Sequence, residues 1–217
     1  MSDAKDRMVA RAAKEIKPGM LVNLGIGLPT RVVNFLPDDL EAGLHTENGL
    51  VGVGPTLDYE HADRNLIDAG GAYISALPGG AFIDSATSFA IVRSGRLDLT
   101  MLGAFEVAQN GDLANWKIPG KFSPGVGGGI ELAQKAKKVM VLTTHTDRKG
   151  KSKLLEACSL PLTARGCVQR IFTDMAVIDV TPEGFALKEI AAGLSVTDVV
   201  AATAAPLIIP DGEIAKF

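Results

Sequence analysis

The stretch MLVNLGIGLPT, residues 20–30, has the pattern of a buried strand followed by a glycine turn and a helix. Its apolar residues lead into Gly25 and Gly27, which allow a tight turn, and Pro29 suits the first turn of a helix. A helical pattern at residues 3–16 comes before it, with apolar side chains on one face and charged ones opposite. The start of the chain therefore predicts the order helix, strand, glycine turn, helix.

Strand-like and helical segments continue to alternate along the chain. The further apolar runs are AYISAL (72–77), LDLTMLGAF (97–105), KKVMVLTT (137–144) and RIFTDMAVIDV (170–180). Helical patterns between them are DSATSFAIVRSG (84–95) and GGIELAQKA (128–136). Such alternation is typical of α/β proteins, so we predict a mostly parallel sheet flanked by helices on both sides.

The last third of the chain adds a different pattern. Residues 175–190 contain two strand-like runs joined by Pro182, Glu183 and Gly184, which indicates an antiparallel hairpin added to the sheet. A short helix is predicted after them, with Ser195 as its cap. Because no linker or internal repeat interrupts the sequence, we predict a single domain over residues 1–217, with about 206–217 as an extended tail.

Composition excludes several classes of function. Hydrophobic residues make up 47% of the chain but aromatic ones only 5%, which suits a parallel sheet built from aliphatic side chains. A net charge of -3 without a dense basic stripe argues against binding to nucleic acid. No apolar run approaches the roughly 20 residues of a membrane span, and the N-terminus is charged, so we expect a cytoplasmic protein with no membrane contact. Cys158 and Cys167 lack a second pair and a nearby His, and no metal site is predicted.

Glu47 stands out in the stretch LHTENGLVGVGP, residues 44–55. Asn48 and Gly49 form a strong turn signal directly after it, which places the carboxylate at the end of a strand. A carboxylate in apolar, backbone-rich surroundings has a shifted pKa or takes part in chemistry, whereas a Glu in this position can also simply cap or solvate a turn. Strand alternation puts His45 on the same face as Glu47, where it would tune the carboxylate, pack or face solvent.

Two glycine clusters invite comparison with nucleotide-binding loops. The cluster GIGLPT lacks the third glycine of the dinucleotide fingerprint, and PGVGGGIEL, residues 124–132, follows a loop instead of a strand. Neither cluster matches a dinucleotide site. The second can bring backbone N–H groups close to an oxyanion at the start of a helix, or it can form a close packing turn.

Six stretches taken together closely resemble the B subunit of the family I 3-oxoacid CoA-transferases, over roughly residues 3–205. They are NLGIGLP, TENGLVGVGP, LGAFEVAQNGDLANWKIPG, GVGGGIELA, HTDRKGKSKLLE and CSLPLTARGCVQRIFTDMAVIDV. Thr46 stands where the family usually has Ser in its Ser-Glu-Asn-Gly motif, and GVGGGIEL departs from the family pattern while keeping its glycines. Thr46 keeps the hydroxyl of the usual Ser, whereas the substitutions in GVGGGIEL bear on the acyl pocket and so on the choice of substrate.

The resemblance implies a fold of the glutaconate CoA-transferase type, related to that of ribose-5-phosphate isomerase, and an obligatory A subunit. It also implies that Glu47 is the catalytic nucleophile, exchanging CoA between an acyl-CoA and a carboxylic acid by way of a glutamyl-CoA thioester. CoA is then a substrate, and no cofactor is expected. We further expect Gly127 and Gly128 to donate N–H groups to oxyanions.

By analogy, Asn23 and Gly25 would line the same crevice at neighbouring strand ends, with Asn48 beside the nucleophile. Two other functions stay open at this point. One is a sugar-phosphate isomerase on the same fold with Glu47 as general base, and the other is a non-catalytic subunit that binds a nucleotide. The sequence does not identify which acids are exchanged.

Overall fold

The computed structural model describes residues 4–123 and 125–217. In these residues the strands are β1 Leu21–Leu24, β2 Gly43–Thr46, β3 Leu50–Thr56, β4 Ile74–Phe82, β5 Leu99–Leu102, β6 Glu106–Ala108, β7 Leu113–Ala114, β8 Val139–Leu142, β9 Leu154–Leu155, β10 Arg170–Phe172, β11 Ala176–Thr181, β12 Gly184–Ile190, β13 Leu207–Ile208 and β14 Ala215–Lys216. The α-helices are α1 Ala4–Ala13, α2 Ser85–Arg93, α3 Gly129–Lys135 and α4 Val196–Ala202. A 3₁₀ helix spans Pro29–Phe35.

Eleven of the described strands form one sheet, in the order β13-β12-β11-β10-β8-β5-β1-β2-β3-β4, with β14 also paired to β12. The central strands β10, β8, β5, β1 and β2 pair in parallel with one another. Antiparallel pairs flank them, from β10 to β12 on one side and from β2 to β4 on the other. The α/β class with a mostly parallel sheet, as well as the hairpin around Pro182 and Glu183, is confirmed.

Two elements differ from the sequence prediction. The helix that begins at Pro29 is a 3₁₀ helix, because its sequence PTRVVNF is rich in β-branched residues, which disfavour a regular α-helix. The strand predicted at 72–77 instead continues through Pro78 and two glycines to Phe82. These residues are tolerated because β4 lies at the edge of the sheet and pairs irregularly with β3. The segment after Pro206 supplies β13 and β14.

Apolar side chains cover both faces of the central strands. On one face α1 buries Met8 and Val9 against a cluster that includes Val22 and Phe172. On the other face, α2, α3 and α4 pack against a second cluster that includes Leu102. Full burial of each large apolar side chain stabilises the fold by roughly 1.5–3 kcal/mol. Packing of helices on both faces of the sheet therefore contributes much of the stability of the fold.

The turn between β2 and β3 depends on Gly49. The N–H of Gly49 donates to the carbonyl of Thr46 at 3.0 Å, and its φ of 130° lies in a region that side chains disfavour. Its carbonyl also accepts from the N–H of Ile83 at 2.9 Å. A Cβ at Gly49 would overlap the carbonyl oxygen of Ile83, so glycine is required both by conformation and by close contact.

We expect Gly49→Ala to destabilise the protein more than Gly71→Ala does. Gly71 also has a positive φ, 83°, but no atom lies within 4 Å of a Cβ built there. The free energy of unfolding of Gly71→Ala should therefore fall only by the conformational cost of about 1–2 kcal/mol. That of Gly49→Ala should fall by about 3 kcal/mol or more. Chemical denaturation of both variants measures the difference, and equal losses would contradict the contact with Ile83.

Candidate active site

The candidate site lies at the carboxyl ends of the central parallel strands. Glu47 is the first residue after β2, which is parallel to β1. In open α/β sheets, ligands bind in the crevice outside these strand ends. Strand pairing thus places the turn that carries Glu47 where such a crevice forms, as the sequence predicts for a carboxylate at a strand end.

The Glu47 carboxylate faces the glycine loop that precedes α3. The N–H of Gly128 donates to Glu47 Oε1 at 3.4 Å, which is long for a hydrogen bond and makes the contact weak in this state. A Cβ at Gly127 would lie 3.7 Å from the same oxygen. The structure therefore brings together Glu47, Gly127 and Gly128, which are about 80 residues apart in the chain.

Gly128 also permits close packing with α2. A Cβ there would lie 2.7 Å from the ring of Phe89 and 3.0 Å from Glu47 Oε2. Glycine at this position lets the aromatic ring and the carboxylate approach the same backbone atoms. The sequence leaves two roles open for this loop: a close packing turn, or backbone N–H groups that approach an oxyanion. Gly128 packs closely against Phe89 and also directs its N–H at the Glu47 carboxylate.

Burial raises the pKa of Glu47 above its usual value, while the hydrogen bond from the Gly128 N–H acts in the opposite direction. The cause is desolvation: a half-buried carboxylate loses water that would stabilise its charge. A poorly solvated carboxylate is a better nucleophile than one in bulk water, provided that it is ionised. The electrostatics of the site thus suit attack by this group on an electrophile.

The backbone of Glu47 is held from the side of α2. Ser88 Oγ donates to the Glu47 carbonyl at 2.8 Å, and His45 Nε2 lies 2.9 Å from the same hydroxyl. Ser88 is fully buried, and sequence analysis did not single it out. The sequence did contain one indication of this role. Ser88 is a polar residue four positions before Val92, and this spacing puts it on the face of α2 that packs against the sheet.

The other side of the turn is fixed by the loop that follows residue 66. The hydroxyl of Thr46 donates to the side-chain oxygen of Asn48 at 2.7 Å, and the Asn48 amide donates to the carbonyl of Ile67 at 2.8 Å. The N–H of Ala69 donates to the same Thr46 hydroxyl at 3.0 Å. Asn48 is therefore adjacent to Glu47, as expected, but its amide stabilises the turn and the neighbouring loop.

Asn23 lies deeper than expected, and Gly25 packs closely against β5. Asn23 is only 1% exposed, and its amide contacts His45 and accepts a hydrogen bond from Thr100, so it belongs to the interior of the sheet and not to a crevice wall. Gly25 donates its N–H to the Met101 carbonyl at 2.8 Å, and a Cβ there would lie 2.9 Å from that oxygen. Strand alternation explains the burial of Asn23, because its side chain points under α2.

Membrane spans and metal clusters are both absent from the residues that the structure describes. Within 4–123 and 125–217, none of the helices combines the length and apolar character needed to cross a membrane. Nor do any three or more His, Cys, Asp or Glu side chains in that part of the chain group in a way that could hold a metal ion.

Residues 5–202 match the protein family described as Coenzyme A transferase. This match covers most of the chain, and the chain belongs to that family. It is a CoA-transferase, as the sequence motifs predict, and family membership favours this activity over an isomerase or a non-catalytic nucleotide-binding subunit.

Curated relatives agree with the family match. The chain is 48% identical over 205 residues to the beta subunit of a probable coenzyme A transferase from Bacillus subtilis, covering 94% of each. It is 44% identical to the B subunit of a probable succinyl-CoA:3-ketoacid coenzyme A transferase from the same organism, covering 96% of this chain and 97% of the relative. It is 45% identical to the B subunit of 3-oxoadipate CoA-transferase from Acinetobacter baylyi, covering 94% of each.

Solved structures confirm the predicted fold type. The acyl-CoA transferase YdiF of Escherichia coli O157:H7, solved as a thioester complex with CoA, superposes with a TM-score of 0.77 at 23% identity; all of this chain matches 43% of that one. Glutaconate coenzyme A-transferase from Acidaminococcus fermentans superposes with a TM-score of 0.72 at 16% identity, covering 99% of this chain and 88% of that one. At these identities the likeness concerns the fold alone.

We expect Glu47→Gln to stabilise the protein near neutral pH. Burial raises the pKa of Glu47 in the folded state above its unfolded value of about 4.5. The protonated side chain therefore contributes its full share of stability below about pH 4.5, and this contribution is lost as the pH rises through the folded pKa. The ionised group therefore destabilises the fold at pH 7. Removing its charge should therefore raise the Tm at pH 7.

Thermal unfolding near pH 7 and near pH 4 measures this effect. The gain should shrink at the lower pH, where Glu47 takes up a proton. Glu60→Gln is the matched control because Glu60 is exposed, and its Tm should stay close to that of the parent at both pH values. A lower Tm for Glu47→Gln at pH 7 would contradict the assigned cost of burying the charge.

Proposed function

We propose that this chain is the catalytic B subunit of a cytoplasmic CoA-transferase that moves CoA between an acyl-CoA, such as succinyl-CoA, and a 3-oxo acid. Glu47 is the nucleophile, and the exchange runs by ping-pong kinetics through a glutamyl-CoA thioester. The observation that carries the proposal is the half-buried Glu47 carboxylate at the end of a parallel strand, with a backbone N–H of Gly128 directed at it. The two relatives named for 3-ketoacid and 3-oxoadipate transfer support the class of acid.

The first half-reaction transfers CoA from the donor to the enzyme. A Glu47 carboxylate oxygen attacks the thioester carbonyl of the acyl-CoA, which releases CoA thiolate and leaves a mixed anhydride between Glu47 and the donor acid. The thiolate then attacks the Glu47 side-chain carbonyl. The anhydride bond breaks, the donor acid leaves as a carboxylate, and Glu47 is left as a thioester of CoA.

The second half-reaction reverses these steps with the acceptor. The 3-oxo acid carboxylate attacks the glutamyl thioester and displaces CoA thiolate, which then attacks the acyl carbonyl of the new anhydride. The products are the acceptor's CoA thioester and a free Glu47 carboxylate. One thioester is exchanged for another, so the reaction needs no cofactor, and CoA itself is a substrate.

Attack on the Glu47 carbonyl places negative charge on a carboxyl oxygen of Glu47 itself. The N–H of Gly128 already lies 3.4 Å from Oε1, so a small closure would shorten this contact as charge develops. One such donor is typically worth roughly 3 kcal/mol of transition-state stabilisation. We assign this role to Gly128, with the neighbouring Gly127 amide as a second donor.

We further propose that an A subunit covers the crevice. The relatives that match nearly the whole chain are named as beta or B subunits. Large apolar side chains are exposed on segments next to the site: Ile26 after β1, Phe82 at the end of β4, and Phe122 a few residues before Gly127, at 63%, 71% and 93% exposure. A partner that covered these segments would bury the three side chains and exclude the water that would hydrolyse an activated glutamyl group.

Glu47 should become covalently bonded to CoA when the A/B complex meets acyl-CoA without an acceptor. Borohydride reduction of the trapped thioester followed by peptide mass spectrometry should find the change in the peptide that contains Glu47. Glu47→Gln should abolish the exchange, and Glu47→Asp should lose about 100-fold because the carboxylate is withdrawn by one methylene.

Glu60→Gln serves as the control for these variants and should keep the parental rate, since Glu60 is an exposed residue between β3 and β4. Slow deamidation of the introduced glutamine side chain would restore a trace of activity to Glu47→Gln, so the intact mass of each preparation must be checked. A label on any other residue, or exchange at the parental rate by Glu47→Gln, would show that Glu47 is not the nucleophile.

The isolated chain should be inactive and should bind its A subunit stably. Obligate interfaces commonly bury about 2,000 Å² or more, so light scattering should report a larger assembly when the two chains are co-expressed. Replacing the exposed Phe82 with Asp should weaken that assembly, whereas the same change at exposed Tyr59 is the control. Full CoA-transferase activity from the isolated chain would refute the need for a partner.

A further inference from the structure

A row of polar side chains crosses the sheet beneath the turn that carries Glu47. Asn23 on β1 is the register partner of both His45 on β2 and Thr100 on β5. All three residues are buried, with exposures of 1%, 2% and 0%. Register partners on adjacent strands point to the same face, so these side chains form a continuous row on the face covered by α2.

The row ends at the backbone of Glu47. Thr100 Oγ1 donates to Asn23 Oδ1 at 3.2 Å, and Asn23 Nδ2 lies 3.3 Å from His45 Nδ1. His45 Nε2 lies 2.9 Å from Ser88 Oγ, which donates to the Glu47 carbonyl at 2.8 Å. The hydrogen-bond contacts thus run without a break from β5, across two strands and α2, to Glu47.

The directions of these hydrogen bonds are mutually determined. The single hydroxyl proton of Ser88 goes to the Glu47 carbonyl, so Ser88 Oγ accepts from His45 Nε2–H. His45 Nδ1 is then unprotonated and accepts from the amide of Asn23. Burial lowers the pKa of His45 to about 4, consistent with this neutral imidazole. Every donor points toward Glu47, an arrangement in which each bond strengthens the next.

The carbonyl of Glu47 is held by Ser88 and not by the hydrogen bond that closes the turn. The hydrogen bond that closes the turn joins Gly49 to Thr46, so it does not use the Glu47 carbonyl. Rotation about the N–Cα bond of Glu47 moves its carbonyl and its Cα–Cβ bond together, and would therefore move the carboxylate relative to Gly128. Ser88 opposes that rotation, and the next residue, Phe89, packs against Gly128, so one turn of α2 positions both groups.

We propose that Asn23, His45 and Ser88 are positioning residues that orient the Glu47 carboxylate for attack by fixing its backbone carbonyl. None of them touches the reacting atoms; they act through Glu47. The inference rests on the proposed function, in which Glu47 is the nucleophile. It assigns a task to buried polar groups whose hydrogen bonds offset the cost of removing them from water.

The test measures thioester formation on Glu47 in a single turnover of the A/B complex with acyl-CoA and no acceptor. The final amount of thioester gives the number of competent sites, and the rate constant of its formation gives the reactivity of each competent site. Ser88→Ala should slow the rate per competent site by about 10- to 100-fold, the effect of misplacing a reacting group. The KM for acyl-CoA should change by less than about 3-fold, since ground-state binding is untouched. Ser94→Ala, a change at an exposed serine just after α2, should react at the parental rate.

A pair of changes at His45 provides the second arm. His45→Gln keeps an N–H donor near Ser88, whereas His45→Leu fills a similar volume without one. His45→Gln should stay within about 3-fold of the parental rate per site, and His45→Leu should be as slow as Ser88→Ala. If Ser88→Ala does not assemble, this pair decides the question, because both variants replace the same buried ring.

Several results would overturn the inference. The inference is wrong if Ser88→Ala and His45→Leu both react at the parental rate per competent site. A lower number of competent sites would not change that conclusion, because it would show that the two residues serve folding alone. Equal slowing by His45→Gln and His45→Leu would also overturn it, since the donor would be irrelevant. Failure of the proposed function looks different: the parent complex itself would form no thioester on Glu47.

Discussion

Parallel pairing of β5, β1 and β2 is the constraint on which the rest of the site depends. Their register aligns Thr100, Asn23 and His45 in one row and brings the ends of the three strands to one edge. Because successive residues of a strand face opposite sides, the same register sends Val22, Leu44 and Leu99 to the apolar layer under α1. A slip of one residue would move the polar row into that apolar layer and the apolar residues to the face under α2, so the register that forms the core also forms the site.

The turn after β2 fixes the position of Glu47 relative to the aligned strands. It is held from below by Ser88 and from the side by the loop that contains Ile67 and Ala69, while Gly49 lets the chain reverse beside Ile83. A residue in such a turn has little conformational freedom left. The carboxylate of Glu47 is thereby presented at a defined position, which would reduce the entropy lost in the proposed attack.

The site also illustrates why reactivity and stability oppose each other. Burial that raises the pKa of Glu47 removes solvent from the ionised group, which costs stability at neutral pH and would favour the nucleophilic attack proposed for it. The neutral His45 and the hydroxyl of Ser88 do not neutralise that charge, because His45 contacts the Ser88 hydroxyl and Ser88 donates to the backbone carbonyl of Glu47 instead of its carboxylate. The surrounding core, with large side chains such as Phe172 fully buried, supplies the stability that the site gives up.

Local patterns in the sequence determined the order of elements, the α/β class and the turn that carries Glu47, because periodicity, glycines and prolines act over a few residues. They also indicated Gly127 and Gly128 as residues able to approach a ligand closely. Only the tertiary structure decided that Asn23 is interior, that Asn48 braces the turn, and that Ser88 holds the Glu47 carbonyl. Those contacts join residues tens of positions apart, and their geometry depends on strand register and helix packing, which no local pattern encodes.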